Sequence, residues 1–405
     1  MLTRRLALAL PLALGLTAGL FGTAQHAAAQ DPIKIGEINS YTRMAAFTEP
    51  YKKGWELALE EINAAGGVNG RPLEVISRDD TGDPATAIRI ADELVTRDNV
   101  SLIFGTFLSN IGLAVADFAN QKQVLFIASE PLTDALIWSN GNKYTYRLRP
   151  GTHMQAAMLA AEAAKTDAVR WATISPNYAY GTDAVEAFKR ELTKLKPEVE
   201  FVEEQWPTLF KIDAGPAVRA LEQAKPDGIY NVTFGGDLAK FVREGSLRYL
   251  FDDRVVVSLL SGEPEYLEPL GDETPDGWIV TGYPGNDVDT PEHDKFETAY
   301  VEKWGEAPKT GSIVGYNSMM TIKKLLETAP SLETDDLLAT MDGLEVESPT
   351  GPFMFRGADH QATMGAYVGK TALVDGKPSM VDWFYAPGED FLPGEEEAAK
   401  LRPAD

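Results

Sequence analysis

Short apolar, β-branched runs alternate with longer stretches of helical period along most of this chain. The run IKIGEIN at 33–39 is followed by a helical pattern over 48–64 and then by LEVISRD at 73–79. That order is the signature of a βαβ unit on a parallel sheet. In PYKKGWELALEEINAAGGVNG, Trp55, Leu59 and Ile62 fall on one helix face, Gly66-Gly67 supplies the stop, and Asn69-Gly70 turns the chain into the next strand. Further strands are expected at Leu102–Gly105, Val124–Ala128, Trp171–Ser175, Phe201–Glu204, Gly228–Thr233, Val255–Leu259 and Trp278–Thr281. Each is followed by a loop and a helix-compatible segment. A single sheet of this many strands would be unusually wide. Two lobes of similar βα content are therefore expected, with a break near Arg149-Pro150-Gly151.

The ends of the chain depart from this rhythm. Residues 1–29 carry Arg4 and Arg5, an apolar run from Leu6 to Phe21 interrupted by Pro11, and a small-residue ending at Ala27-Ala28-Ala29. They read as a cleavable export signal, too short to span a bilayer, with the general and the twin-arginine routes both open. The last segment, 386–405, is acidic and reads as a solvated, partly mobile tail.

Composition narrows the function. Cysteine is absent, which excludes disulfides, thiolate metal sites, a cysteine nucleophile and a lipid-modified cysteine at the cleavage site. Loss of the leader takes the formal net charge from −24 to −26, so nucleic acid and anionic membranes would repel the product. Of the four histidines, at 26, 153, 293 and 360, none forms HExxH or a paired-ligand spacing. There is no GxSxG nucleophile elbow, and Gly235-Gly236 lacks the rest of a dinucleotide fingerprint. No catalytic residue, metal site or cofactor is expected.

The leader, the IKIG strand, GWELALEEINAAGGVNGRPLEVISRDDTGDP, LIFGTFLSN, VLFIASEP, NYAYG and GIYNVTFGGD follow one another in a recognisable order. Together they resemble the periplasmic solute-binding proteins of the leucine/isoleucine/valine and amide type that serve ABC importers. The resemblance implies an α/β type I periplasmic binding fold, two Rossmann-like lobes with parallel-type sheets joined by three crossovers. One lobe would take residues 30–149 plus 282–350, the other 150–281 plus 351–385. It also implies a monomer that closes on one small-molecule ligand and delivers it to a cognate permease in the inner membrane. A ligand-binding sensor for a membrane receptor or kinase is the alternative of a different class, and a secreted enzyme a third.

Ligands of open α/β sheets bind at the carboxyl ends of strands. After the strand ending at Gly105, the hydroxyl of Ser109 and free N–H groups at a helix start can hold an anionic or carbonyl oxygen, with Phe107 as an apolar wall and Asn110 beside it. Matching the family pattern adds Phe47, in the loop after the first strand, as a stacking aromatic with Tyr41 near it. It adds Tyr180 from the other lobe, and Asp237 and Glu263 as carboxylates suited to an amine. One departure stands out. Where amino-acid binders of this family carry small and hydroxyl residues, this chain reads Ala128-Ser129-Glu130-Pro131-Leu132. A carboxylate at Glu130 would repel an amino acid's carboxylate unless it were protonated or bridged by a cation, or faced solvent or an internal arginine. Amino acids, short amides or urea, cationic amines and aromatic acids all remain open as ligands.

Overall fold

The structure is a computed structural model and describes residues 31–403. The expected leader at 1–29 lies outside the described residues. The first lobe is built on a five-stranded, wholly parallel sheet. Its strands are β1 (Ile33–Asn39), β2 (Leu73–Asp79), β3 (Ile103–Gly105), β4 (Phe126–Ala128) and β5 (Thr145–Arg147), in the order β2-β1-β3-β4-β5. Helices α1 (Tyr41–Ala64), α2 (Pro84–Thr96) and α3 (Ser109–Lys122) connect them.

The chain then crosses to a seven-stranded sheet. Its parallel part is β6 (Arg170–Ile174), β7 (Glu200–Gln205), β8 (Gly228–Asn231), β9 (Val255–Gly262) and β10 (Ile279–Gly282). Around it lie α4 (Thr152–Ala163), α5 (Ala179–Leu195), α6 (Ala214–Ala224), α7 (Gly235–Leu247) and α8 (Pro264–Leu270). After β10 the chain returns to the first lobe as α9 (Pro291–Trp304), α10 (Thr310–Thr328) and α11 (Thr334–Met341). A short ladder of β11 (Glu345–Val346) with β12 (Phe353–Met354) follows. It comes back last as the antiparallel hairpin β13 (Ala366–Val374) and β14 (Lys377–Ala386), which extends the sheet to β14-β13-β10-β9-β8-β6-β7.

The alternating pattern located the strands of both sheets except β5, a three-residue run, and the β13–β14 hairpin. The first helix also starts earlier than the pattern indicates, at Tyr41, with a kink at Met44. The last passage between lobes falls late: residues 356–362 still run beside β5, where Arg147 N donates to His360 O at 2.9 Å and Ala362 N to Arg147 O at 2.9 Å. The acidic C-terminal segment is anchored rather than loose. It forms α12 (Glu395–Leu401) with Ala398 fully buried, and Arg402 donates to the carbonyls of Ile137 and Asn142, both at 3.1 Å. Composition missed this because the anchors are one apolar position and one basic side chain among many acids.

Two backbone features aim the elements toward the interlobe space. Gly105 sits at φ +111°, and a Cβ there would lie 2.4 Å from the Ile38 carbonyl. Only glycine makes this turn comfortably, and it throws the chain from the end of β3 into α3. Helices α1 and α10 meet through glycines. A Cβ on Gly54 would stand 1.9 Å from the Ser312 carbonyl, and one on Gly315 2.0 Å from the Tyr51 carbonyl. Backbone meets backbone here, so an added methyl has nowhere to go. Gly315→Ala is expected to lower the stability measured by urea denaturation by about 1–3 kcal/mol or more. An unchanged midpoint would show that the helices can move apart at no cost.

Candidate functional site

The loops at the carboxyl ends of both sheets face each other and line a small, partly open cavity. From the first lobe come Phe107, Ser109, Glu130 and Arg149, and from the second Tyr178, Tyr180, Phe234 and Tyr266. The lobes touch around it. Gly311 N at the start of α10 donates to Glu265 at the start of α8 (2.8 Å), and the Arg43 guanidinium lies 4.3 Å from the centre of the Phe210 ring.

Arg149 is the centre of the arrangement. It sits just beyond β5, where the chain first crosses between lobes, and is 4% exposed. Its Nη1 donates to Glu130 Oε2 at 3.1 Å, and its Nη2 donates to Glu263 Oε1. Glu130 follows β4 of the first lobe, whereas Glu263 is the residue before α8 of the second. One cation thus joins a buried carboxylate from each lobe. Its guanidinium also lies 5.2 Å from the centre of the Phe47 ring.

Glu130 keeps Oε1 without a partner among the described residues. Burial outweighs the neighbouring Arg149 and, helped by the nearby Glu265 charge, pushes the Glu130 carboxyl up to about 8. At neutral pH it is therefore a neutral acid, able to donate. The hydroxyls of Tyr180 and Tyr266 are also buried without a hydrogen-bond partner, and burial raises both phenols above their ordinary range, so both are protonated donors. The aromatic wall is continuous. Tyr180 stands edge-on to Phe234 with centroids 5.7 Å apart and tilted against Tyr178 at 5.8 Å, and on the first-lobe side Phe47 lies 4.9 Å from Phe107.

The residues singled out from the sequence separate on this geometry. Phe107, Ser109, Glu130 and Tyr180 line the cavity. Phe47 is buried beside it but belongs to α1, past the kink at Met44, rather than to a loop. Ser109 is the first residue of α3, with Leu108 as N-cap, and its Oγ accepts from Thr133 N at 3.3 Å. Tyr41 packs away from the cavity, its hydroxyl accepting from Trp55 Nε1 at 3.2 Å. Asn110 is exposed and outside the lining. Asp237 turns from the cavity in the first turn of α7, accepting from Ile212 N at 3.4 Å and pairing with Lys240 at 3.5 Å. Glu263 is held by Arg149 and lines a second cavity nearer the crossovers. Sequence reading passed over Arg149, Tyr178, Phe234 and Tyr266. Arg149 was visible only as part of an Arg-Pro-Gly turn, although a lone cation at an interlobe crossing beside an unexplained Glu130 was a usable signal.

Among the described residues no group of three or more His, Asp or Glu side chains is placed to hold a metal. No helix among them is long and apolar enough to cross a membrane.

The pattern of the periplasmic binding proteins matches residues 32–377. This chain belongs to that family. Among relatives, the Leu/Ile/Val-binding protein homolog 7 of Brucella suis biovar 1 (strain 1330) is 26% identical over 83% of this chain and 86% of its own. Among solved structures, a solute-binding protein of an ABC transporter from Rhodopseudomonas palustris BisB5, in complex with 3,4-dihydroxybenzoic acid, superposes with a TM-score of 0.79. It is 25% identical, with 88% of this chain and 98% of that one covered. The branched-chain amino acid transporter substrate-binding protein LivJ from Streptococcus pneumoniae, in complex with isoleucine, gives 0.76 at 22% identity, with 88% and 99% covered. This periplasmic binding protein is a solute-binding protein of the type I fold, and the cavity between its lobes is its candidate solute site.

Two buried acids, Glu130 in the site and Glu37 in the sheet, give the fold a measurable pH signature. Glu37 in β1, bonded to Ser77 Oγ at 2.6 Å, is likewise pushed up to about 8 by burial. A carboxyl whose folded-state pKa is raised stabilises the fold while protonated, and that contribution is lost as pH rises through the folded-state value. Burial holds His153 and His293 below their ordinary values, so neither titrates above about pH 6.5. The melting temperature should therefore fall between pH 6.5 and 8.5, with a shallower slope in Glu37→Gln. A flat profile in the parent protein would contradict the assignment of neutral buried acids.

Proposed function

We propose that this protein is the solute-binding component of an ABC importer that captures a small aromatic acid and presents it to an inner-membrane permease. Residues 1–29 would direct it to the periplasm, where it would act as a monomer without catalysing any reaction. The observation that carries the ligand class is the polarity of the cavity: its unpartnered Tyr180, Tyr266 and protonated Glu130 groups are all donors. Arg149 adds more, since a guanidinium has five N–H groups and two are engaged by carboxylates. Donors converging inside aromatic walls complement a planar, acceptor-rich acid. The 3,4-dihydroxybenzoic acid bound by the R. palustris neighbour is of that class.

An α-amino acid fits less well. Its ammonium needs a free carboxylate, and Glu263, the residue expected to supply one, is paired with Arg149. An unmatched ammonium in a dry cleft is costly.

A thermal-shift panel tests this. Benzoate and hydroxybenzoates should raise the melting temperature, a ligand at about 100 times its Kd adding roughly 2.7 kcal/mol. Leucine, isoleucine and valine should not. The reverse ranking would replace the aromatic-acid reading with the amino-acid one.

Tyr180→Phe separates binding from folding. The hydroxyl has no partner to lose in the empty protein, so the variant should melt at or above the parent temperature. Its affinity for the acid should drop by a factor corresponding to about 1–2 kcal/mol measured by calorimetry. A lower melting temperature with unchanged affinity would make Tyr180 a structural residue.

A further inference from the structure

We propose that Arg149 is the residue that determines which ligand charge this cleft accepts, converting an acidic interlobe space into a site for acids. The inference rests on the aromatic-acid reading above and assigns the selectivity of that site to one side chain.

The geometry behind it is a partition. Arg149 lines both the cavity between the aromatic walls and the second cavity nearer the crossovers. Glu130 lines only the first of these and Glu263 only the second, and both are 2% exposed. The guanidinium thus stands between two buried carboxyl groups, Glu130 and Glu263, on either side of it. Each retains one oxygen without a partner, Glu130 Oε1 on one side and Glu263 Oε2 on the other. Arg149 is the only basic residue lining either cavity among the described residues.

Remove that cation and Glu263 is left in the cleft with no basic residue lining either cavity. Its charge repels a carboxylate and attracts an ammonium, which would find an acceptor and an aromatic wall. With Arg149 in place the opposite holds. Glu263 is neutralised, and the guanidinium can meet a carboxylate in the two-pronged geometry that a lysine could not reproduce. The charge preference of the cleft is then set by a residue of the crossover rather than by the loops that form its walls.

The probes are 4-hydroxybenzoate and tyramine, a phenol with a carboxylate and a phenol with an amine, titrated by calorimetry into the full mature chain. The parent should bind 4-hydroxybenzoate and not tyramine. Arg149→Gln should weaken the acid at least 30-fold and acquire tyramine binding. Glu263→Gln, which keeps Arg149 and releases it from one partner, should bind the acid at least as tightly as the parent. The double variant Arg149→Gln/Glu263→Gln removes the unpaired buried carboxylate along with the cation, so it remains informative if the single arginine variant does not fold. It should bind the acid at least 30-fold more weakly than the parent.

Acid affinity within threefold of the parent in either Arg149 variant would overturn the proposal, as would a tenfold loss in Glu263→Gln. If the parent binds no aromatic acid at all, the aromatic-acid reading fails separately. The role of Arg149 is then decided by tyramine: binding in Arg149→Gln but not in the parent supports it, and the same response in both refutes it.

Discussion

A guanidinium buried between carboxyl groups of opposite lobes is the constraint around which this molecule is arranged. Arg149 bridges Glu130 of the first lobe and Glu263 of the second, with all three side chains almost fully removed from water. Buried charges are tolerated only when paired and hydrogen-bonded, and losing one partner costs far more than a surface pair would. The triad therefore ties lobe position to site chemistry. If the lobes separate, Glu263 leaves Arg149. If they close, the guanidinium, the Tyr180 and Tyr266 hydroxyls and the Glu130 acid converge on one small space.

The remainder of the fold supports that convergence. Parallel sheets place every loop that follows a strand at the same end, so β3, β4 and β5 deliver Ser109, Glu130 and Arg149 side by side. The turn at Gly105 aims α3, and the glycine contact between α1 and α10 fixes the helix that carries Phe47. Gly311 N at the start of α10 holds Glu265 of the second lobe, so a helix of one lobe orients the α8 segment that also carries Tyr266. Apart from the α9–α11 return, these are consequences of βαβ connection rather than of any special loop.

The fold was largely legible from the sequence, since the period of apolar residues reports burial directly and most strands here are long enough to show it. It failed where local pattern is weak. Three residues of β5 carry no period, and the alternation of the β13–β14 hairpin is interrupted by Gly369, where the register shifts, and by Pro378. The site was legible to the extent that it lies at strand ends. Phe107, Ser109, Glu130 and Tyr180, read from strand ends, line the cavity, whereas Asp237 and Asn110 sit at comparable positions outside its lining. Residue types cannot reveal which of two neighbouring helix-start positions turns inward. Nor can they show that Glu263 meets an arginine 114 positions away, because that pairing exists only in the folded chain. The repulsion anticipated at Glu130 was the most useful anomaly, and its resolution is a cation already inside the protein.

The central claim, that the space around Arg149 is a site for an aromatic acid, is tested most directly by a crystal structure of the mature protein with 4-hydroxybenzoate. The account predicts the ring between the Phe107 and Tyr180 walls, with an oxygen of the acid within hydrogen-bond distance of the Arg149 guanidinium and of at least one of Tyr180, Tyr266 and Glu130. A ligand bound with its carboxylate away from Arg149, or a cleft without the acid in which another solute is bound at Glu263, would contradict it.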